Sequence, residues 1–163
     1  MNDPTQLTGR PLVPATVVVE RGQVAAFATA VTDTSPVHQR ADAAAAAGFA
    51  AIPAPPTFTF AARLLAAYDE LRPAPPADAV DVTEVISALR AGGGLILHAE
   101  QEFTYHAPVL VGAVLTLTGT VDDVRVTTGR DGRSRTFVRL RSEFRDEAGN
   151  LVVTEVMTLL HRA

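Results

Sequence analysis

The sequence contains no cysteine. Disulfides, thiolate nucleophiles and cysteine-ligated metal sites are therefore excluded. Cysteine usage does not decide whether the protein works in an oxidising or a reducing compartment. The four histidines are not spaced as zinc ligands are. We accordingly predict neither a metal site nor a redox cofactor.

Long apolar runs are missing as well. Residues 1–4 lack the basic and apolar regions of a signal peptide. The longest run of alanine, residues 43–47, is far too short to cross a bilayer. We therefore expect a soluble cytoplasmic protein that has no membrane partner.

An excess of positive charge is also lacking. Fourteen Lys and Arg residues stand against eighteen Asp and Glu residues, which gives a net charge of -4. The chain offers no electrostatic footprint for a nucleic-acid backbone, so nucleic acid is excluded as a predicted partner. What is present is 163 residues with 47% apolar content, enough for the core of one compact domain.

The first half of the chain reads as a strand followed by helices. Residues 1–14 show little periodicity and are interpreted as a leading segment laid over the surface of a single domain, 15–163. Residues 15–20 are β-branched and predict a strand, and residues 23–31 have helical spacing. A short alanine-rich helix is predicted over 41–47 and ends at Gly48, a residue suited to a left-handed cap.

The longest predicted helix covers residues 57–71. Its apolar residues return every three or four positions: Phe58, Ala61, Ala62, Leu65, Tyr68 and Leu71. The prolines before it suit a first helical turn, where a missing N–H costs nothing. Fifteen residues would make a helix of about 22 Å, long enough to traverse a small domain. A shorter helix is predicted over 81–91.

Everything after the glycines at 92–94 reads as sheet, and those glycines read as a flexible lead into it. Strands are predicted over 95–107, 113–127, 135–145 and 151–161, with turns at 129–132 and 146–150. We expect these four strands to form a meander. A sheet with one apolar face must cover that face, and a long helix laid across it is the economical solution. The predicted class is α+β: a hot-dog fold, in which an antiparallel β-sheet wraps a long central helix.

The most informative segment for chemistry is residues 33–38, Asp-Thr-Ser-Pro-Val-His. It holds a carboxylate, Asp33, and an imidazole, His38, on a loop stiffened by proline. Adding water to an activated double bond needs a group that deprotonates water and a proton source for the neighbouring carbon, and Asp with His can share that work. The alternative is that Asp33 is an ordinary turn residue before a Ser-Pro step.

Two motifs in this order resemble one family. The first is Val-Thr-Asp-Thr-Ser-Pro-Val-His at 31–38, followed by Ile-Pro-Ala-Pro-Pro-Thr-Phe at 52–58; the second is Glu-Phe-Thr-Tyr-His-Ala-Pro at 102–108. They are similar to the (R)-specific enoyl-CoA hydratases and MaoC-like (3R)-hydroxyacyl dehydratases, closest to the N-terminal, substrate-binding type of domain. The resemblance extends over about residues 17–160.

The resemblance implies a reaction and a site. It implies a hot-dog domain that pairs through its sheet, with Asp33 and His38 as the acid/base pair in a tunnel whose walls include the partner subunit. The substrate would be an acyl thioester on coenzyme A or an acyl carrier protein, and no further cofactor is implied. The thioester carbonyl would lie at the start of the long helix, where unpaired N–H groups suit a developing oxyanion.

One departure from the family pattern concerns that oxyanion. Catalytic members have His-Gly before the long helix, whereas this chain has Pro55 and Pro56, which carry no N–H. The donor would have to shift to Thr57 or Phe58, so Pro56, Thr57 and Phe58 are the predicted substrate-binding residues. This loop is typical of the substrate-binding type, whose members often rely on a catalytic partner.

The remaining histidines are interpreted as structural. His98 and His106 are predicted to share a solvated or dimer-facing strand surface with Glu100 and Glu102. His161, beside the C-terminus, is predicted at the surface.

Three functions remain open at this point. The first is a lyase that hydrates trans-2-enoyl thioesters or dehydrates (3R)-3-hydroxyacyl thioesters. The second is a non-catalytic acyl-chain-binding subunit of a heterodimeric dehydratase. The third is a hot-dog thioesterase or an enzyme that adds another nucleophile to an enoyl thioester, since a fold alone does not determine a reaction. A homodimer, or a heterodimer with another hot-dog subunit, is expected in either of the first two cases.

Overall fold

The computed structural model describes residues 4–91 and 93–162. These form a five-stranded antiparallel sheet in the order β1-β3-β4-β5-β2. The strands are β1 (Ala15–Val18), β2 (Leu95–Tyr105), β3 (Val114–Thr128), β4 (Ser134–Arg145) and β5 (Leu151–Arg162). The helices are α1 (Arg21–Ala30), α2 (Ala41–Ala46), α3 (Phe58–Leu65) and α4 (Val82–Arg90), with 3₁₀ turns at Pro4–Leu7, Pro36–His38 and Asp69–Leu71. The predicted α+β class is confirmed.

The last three strands form the predicted meander, but β2 does not continue it. β2 pairs with β5 at the far edge of the sheet, so the prediction of a four-strand meander was wrong. β3 does not follow β2 directly in the sheet, because the connection between them pairs with the segment before α3. Ala54 N–H donates to the Val109 carbonyl at 2.7 Å, and Val111 N–H donates to the Ile52 carbonyl at 2.9 Å.

A β-bulge interrupts the alternation of side chains along β2. The register with β5 shifts between His98 and Glu100. His98 lies opposite Leu159, which is buried, whereas Glu100 lies opposite Thr158. Opposed residues share a face, so His98 is on the inner face and Glu100 is on the outer one. The prediction that these two residues share a surface was therefore wrong.

The central helix is shorter than predicted. It ends at Leu65 after eight residues, about 12 Å at the usual rise, because the next residues pair with β1. Val18 N–H donates to the Ala66 carbonyl at 2.9 Å, and Tyr68 N–H donates to the Thr16 carbonyl at 3.3 Å. These bonds cover the free edge of β1, and tertiary pairing here overrides a helical sequence pattern.

The buried apolar residues form two clusters on the inner face of the sheet. The α3 cluster lies where α3 packs on the sheet and includes Val17, Val24, Phe58, Ala62, Leu115, Leu117, Phe144 and Val153. The α4 cluster lies where α4 packs and includes Leu12, Val80, Val85, Leu89, Val121, Val138, Leu140 and Leu159. As predicted, alternate residues of β4 point into this core.

The leading segment is tied to the sheet. Gly9 N–H donates to the Val121 carbonyl and Leu12 N–H donates to the Gly119 carbonyl, each at 2.8 Å, and the Leu12 side chain is buried. Residues 1–3 lie outside the described residues, and the domain boundary at residue 15 stays a prediction. None of the helices in the described part of the chain has the length and apolarity needed to span a bilayer.

The C-terminal histidine is buried, so its predicted surface position was wrong. His161 Nε2 lies 2.7 Å from the Gly93 carbonyl oxygen. Since a carbonyl only accepts, Nε2 carries a proton. This contact anchors the glycine segment that leads into β2. Gly92 of that segment lies outside the described residues. The close approach of the segment to His161 and Arg162 depends on the missing side chain of Gly94.

Replacing Gly94 by alanine should destabilise the fold by about 3 kcal/mol. Its φ is +88°, and an added Cβ would lie 2.3 Å from the Arg162 carbonyl oxygen. Gly48 has the same φ but open space around its Cβ position, so Gly48→Ala should cost only about 1–2 kcal/mol. Denaturant unfolding of both variants measures the difference. Equal losses would show that the contact with Arg162 is irrelevant.

Candidate functional site

Asp33 is positioned by the way α1 ends. Thr32 adopts a left-handed conformation with φ 56°. Thr32 N–H donates to the Thr29 carbonyl at 3.1 Å, and Asp33 N–H donates to the Ala28 carbonyl at 2.8 Å. This pair of bonds is the Schellman arrangement of a helix C-terminus. A β-branched residue disfavours that conformation, so the bonds on either side must hold it. They fix the direction in which Asp33 leaves the helix.

The Asp33 carboxylate is held by the loop that follows it. Its Oδ1 atom accepts the backbone N–H of Ser35 at 2.8 Å, a local turn that Asp commonly makes. The side chain of Gln39 donates to the Asp33 backbone carbonyl at 2.7 Å. Oδ2 is left facing His38, which ends the 3₁₀ turn Pro36–His38.

His38 is oriented by the segment before α3. Its Nδ1 lies 2.9 Å from the Pro53 carbonyl oxygen, so Nδ1 carries the proton and Nε2 of the neutral ring carries a lone pair. Nε2 lies 3.8 Å from Asp33 Oδ2, and each side chain is 20% exposed. This separation is too long for a direct hydrogen bond, and one water oxygen fits within hydrogen-bond distance of both atoms.

His38 also faces an open cavity. The cavity has a volume of about 230 Å³ and is lined by His38, Gln39, Ile52, Arg21 and one face of α1. The His38 side chain, which is 20% exposed, is therefore not sealed in the core. The two residues that the sequence predicts as a catalytic pair are brought together beside solvent-accessible space, and their catalytic role stays a prediction.

The start of α3 has an unusual hydrogen-bond pattern. Thr57 is left-handed with φ 70°, the second β-branched residue in this conformation. Its N–H donates to the hydroxyl of Tyr105 at 2.8 Å. Phe58 N–H donates to the Pro55 carbonyl at 3.2 Å. Both N–H groups predicted to bind a thioester oxygen therefore already have partners.

The three predicted substrate-binding residues have different surroundings. Pro56 and Thr57 are exposed, whereas the Phe58 side chain is fully buried in the α3 cluster. The Phe58 ring meets that of Phe27 edge-on, with 5.5 Å between centroids. Only Pro56 and Thr57 have side chains within reach of a ligand, and the binding role of all three stays a prediction.

Tyr105 is a residue that the sequence interpretation missed. Burial raises the pKa of its hydroxyl, the Thr57 N–H opposes that rise, and the charge of Glu155 adds to it. The hydroxyl therefore stays protonated at neutral pH. A usable signal was present, since the chain has only two tyrosines and this one ends the strand directly before the His-Ala-Pro motif.

A buried ion pair lies beneath α3, between the two apolar clusters. Arg63 Nη2 lies 3.2 Å from Glu155 Oε2, and Arg63 is 23% exposed while Glu155 is 2% exposed. Ser142 Oγ lies 3.5 Å from the same nitrogen. Burial raises the pKa of the Glu155 carboxyl, whereas Thr59 and Arg63 oppose that rise.

Ligand sets for a metal are not assembled in residues 4–91 and 93–162, where no three histidine or acidic side chains converge. The chemistry that the described groups could offer is proton transfer at Asp33 and His38, with the Tyr105 hydroxyl at the start of α3. The segment from Pro53 to Thr57 connects the two, because the Pro53 carbonyl contacts His38 and Thr57 directly precedes α3.

Known proteins resemble this chain over most of its length. Residues 6–155 match the family model described as the FAS1-like, dehydratase domain region. The chain is 37% identical over 145 residues to a UPF0336 protein of Streptomyces griseus, which covers 89% of this chain and 85% of that protein.

Two solved structures share the fold. The HadBC (3R-hydroxyacyl-ACP dehydratase) complex of Mycobacterium tuberculosis has a TM-score of 0.68 at 26% identity, covering 94% of this chain and 96% of that one. The ChsH1–ChsH2 complex of the same organism has a TM-score of 0.71 at 21% identity, covering 92% of this chain and 87% of that one.

The fold and the family match thus define a hot-dog domain of the hydratase and dehydratase class, and both the predicted hot-dog fold and the predicted MaoC-like family are confirmed. The chain belongs to the FAS1-like dehydratase domain family.

Proposed function

We propose that this chain interconverts trans-2-enoyl and (3R)-3-hydroxyacyl thioesters carried on coenzyme A or an acyl carrier protein. The observation that carries the proposal is the Asp33–His38 pair. Nδ1 of His38 is engaged by Pro53, and its Nε2 lone pair faces the Asp33 carboxylate across 3.8 Å. HadBC is a (3R)-hydroxyacyl-ACP dehydratase, and its likeness to this chain supports the same class of substrate.

In the hydration direction, Asp33 and His38 hold a water oxygen near C3 of the enoyl thioester. An O–H bond of that water breaks, its proton passes to the dyad, and the oxygen bonds to C3. The C2–C3 π electrons move onto the thioester oxygen, and C2 then takes a proton from the dyad. One water is added and no oxidation state changes, so the proposed reaction uses no cofactor beyond the thioester carrier itself.

The proposed assembly is a dimer with a second hot-dog subunit. β2 is an eleven-residue edge strand with one unpaired side, and its Leu95 and Leu97 side chains are exposed. An exposed strand edge of this kind favours pairing with another chain. The HadBC and ChsH1–ChsH2 structures are both complexes of two different subunits, which supports a second hot-dog subunit as the partner. A homodimer would use the same strand edge.

A second candidate function is a substrate-binding subunit that leaves the chemistry to its partner. It is favoured by the start of α3, where Pro55 and Pro56 have no N–H and that of Thr57 is bound to Tyr105. In this case Asp33 and His38 would be structural, and the chain would hold the acyl group while a partner supplies the acid and base.

The test is an assay of the purified chain on its own, with a short trans-2-enoyl coenzyme A and with longer homologues. We expect the enoyl absorbance to fall and a (3R)-3-hydroxyacyl product to form, with the dimer observed by sedimentation. A chain that is inactive alone but activates a hot-dog partner would favour the second candidate. Inactivity in both settings would rule out the lyase function.

A further inference from the structure

The proposed reaction needs a hydrogen-bond donor at the thioester oxygen, where negative charge develops. A backbone N–H commonly fills this role, and losing one such donor costs about 10²–10³ in kcat. Pro55 and Pro56 occupy the positions before α3 and have no N–H to give. The N–H of Thr57 is directed at Tyr105. The N–H of Phe58, the other group predicted for this role, donates to the Pro55 carbonyl. With both predicted N–H groups already bonded, a side chain is the next source of a donor.

The Tyr105 hydroxyl still has a proton with which to donate a hydrogen bond to the thioester oxygen. It accepts the Thr57 N–H at 2.8 Å through a lone pair, which leaves its own O–H proton to be donated elsewhere. A hydroxyl that accepts one hydrogen bond is polarised and donates the next one more strongly. The side chain is 45% exposed, so a ligand can approach it.

The position of Tyr105 relative to the dyad is set by two antiparallel segments. Pro53 pairs with Leu110, and Thr57 meets Tyr105 at the other end of the same pairing. The carbonyl of Pro53 holds His38. His38 and Tyr105 are therefore anchored four residues apart, a backbone span of at most about 14 Å. The turn from Pro55 to Phe58 shortens this span further.

The protonation state of Tyr105 agrees with a donor role. Burial is the main reason that the pKa of its hydroxyl is raised, and the nearby Glu155 carboxylate raises it further. A phenol with a raised pKa remains neutral throughout the range in which Asp and His exchange protons, so it donates a hydrogen bond without losing its proton.

We propose that the hydroxyl of Tyr105, held by the Thr57 N–H, donates the hydrogen bond to the thioester oxygen that Pro55 and Pro56 cannot donate. The proposal rests on the proposed function and assigns a further catalytic residue to it. In this proposal the left-handed conformation of Thr57 directs its N–H toward the Tyr105 hydroxyl and away from the substrate.

The first test compares Tyr105→Phe with Tyr68→Phe, the matched change at the other tyrosine of the chain. We expect Tyr105→Phe to lower kcat about 100-fold or more with little change in KM, because the bond strengthens only in the transition state. Tyr68→Phe should leave kcat unchanged. A thermal melt of each variant reports separately on any loss of structure at Thr57.

A second readout detects the hydrogen bond without turnover. In an Asp33→Asn background, a 2,4-dienoyl coenzyme A serves as the probe, since polarisation of its carbonyl shifts its absorbance to longer wavelength. We expect this red shift when Tyr105 is present and its loss in Asp33→Asn/Tyr105→Phe. A purely structural hydroxyl would leave the red shift in place.

If Tyr105→Phe fails to fold, fluorotyrosine incorporated into the Tyr68→Phe chain changes the acidity of the Tyr105 hydroxyl and keeps its shape. A change in kcat and in the dienoyl red shift with acidity supports the proposal. Unchanged kcat and red shift in Tyr105→Phe overturn it. If the wild-type chain is inactive, the proposed hydratase function fails, and the red shift alone then decides whether Tyr105 binds the thioester oxygen.

Discussion

Replacing His38 by glutamine, or Asp33 by asparagine, should lower the rate of enoyl-thioester hydration by about 10²–10⁴-fold. The glutamine amide can still donate to the Pro53 carbonyl, and the asparagine oxygen can still accept the Ser35 N–H. Neither amide can take a proton from water. Each variant therefore removes acid/base chemistry while keeping the hydrogen bonds that shape the loop.

The measurement is kcat from the loss of enoyl absorbance, with the fold checked by circular dichroism and thermal melting. His98→Gln is the matched control, because His98 lies on β2, where it makes a hydrogen bond with Gln101 and a ring contact with Phe60, neither of which involves Asp33 or His38. It should keep the full rate. The double variant Asp33→Asn/His38→Gln should be little slower than either single variant, since two groups that share one proton transfer are not additive.

Retention of more than about a tenth of the wild-type rate by either single variant would contradict the dyad, given the size of a general acid/base contribution. In that case Asp33 would be the ordinary turn residue that its bond to Ser35 also allows. If the wild-type chain needs a partner, the same variants would be tested within the complex. A substitution that leaves the rate of the complex unchanged would identify the partner as the source of the acid and base.

Local sequence signals predicted much of the fold. Turn residues located both hairpins of the meander, and the spacing of Asp33 and His38 along a proline-stiffened loop predicted that they would meet. The helix α2, and the left-handed Gly48 shortly after its end, were predicted from the local sequence alone. Each of these features is determined by residues close together in the chain, so pattern and propensity were sufficient.

Features that depend on contacts between residues far apart in the chain were not predicted from the sequence. Nothing local marks the bulge at His98, which moves that residue to the inner face, or the pairing with β1 that ends α3 at Leu65. The Thr57–Tyr105 bond joins residues 48 apart, and the Arg63–Glu155 pair joins residues 92 apart. Arg63 on a helix and Glu155 on a strand carry no local signal of an ion pair. The pair forms only because α3 packs on the sheet.

Replacing Arg63 by methionine should destabilise the protein by about 3–5 kcal/mol at pH 7. Glu155 is 2% exposed and cannot turn toward water, so the substitution leaves a buried carboxylate without its cation. For a chain of this size the loss corresponds to a fall in Tm of roughly 10 °C. Glu155→Gln should cost about 1 kcal/mol or less, because Arg63 is 23% exposed and its guanidinium can be solvated.

The loss should depend on pH in a defined direction. Burial raises the pKa of Glu155 above its usual 4.5 in the folded state, so its contribution to stability is complete below 4.5 and declines as pH rises through the raised pKa. Without Arg63, which opposes that rise, the folded pKa moves further up. The gap in stability between Arg63→Met and the wild type should therefore narrow toward pH 4.5 and widen toward neutral pH.

The double variant Arg63→Met/Glu155→Gln separates the charge from the packing. It keeps the stem of residue 63 against the sheet and removes both charges, so most of the stability lost in Arg63→Met should return. Denaturant unfolding at pH 5 and pH 7 measures all three variants against the wild type. If the double variant is as unstable as Arg63→Met, the cost lies in the packing of α3 on β5, and the buried charge of Glu155 is not its cause.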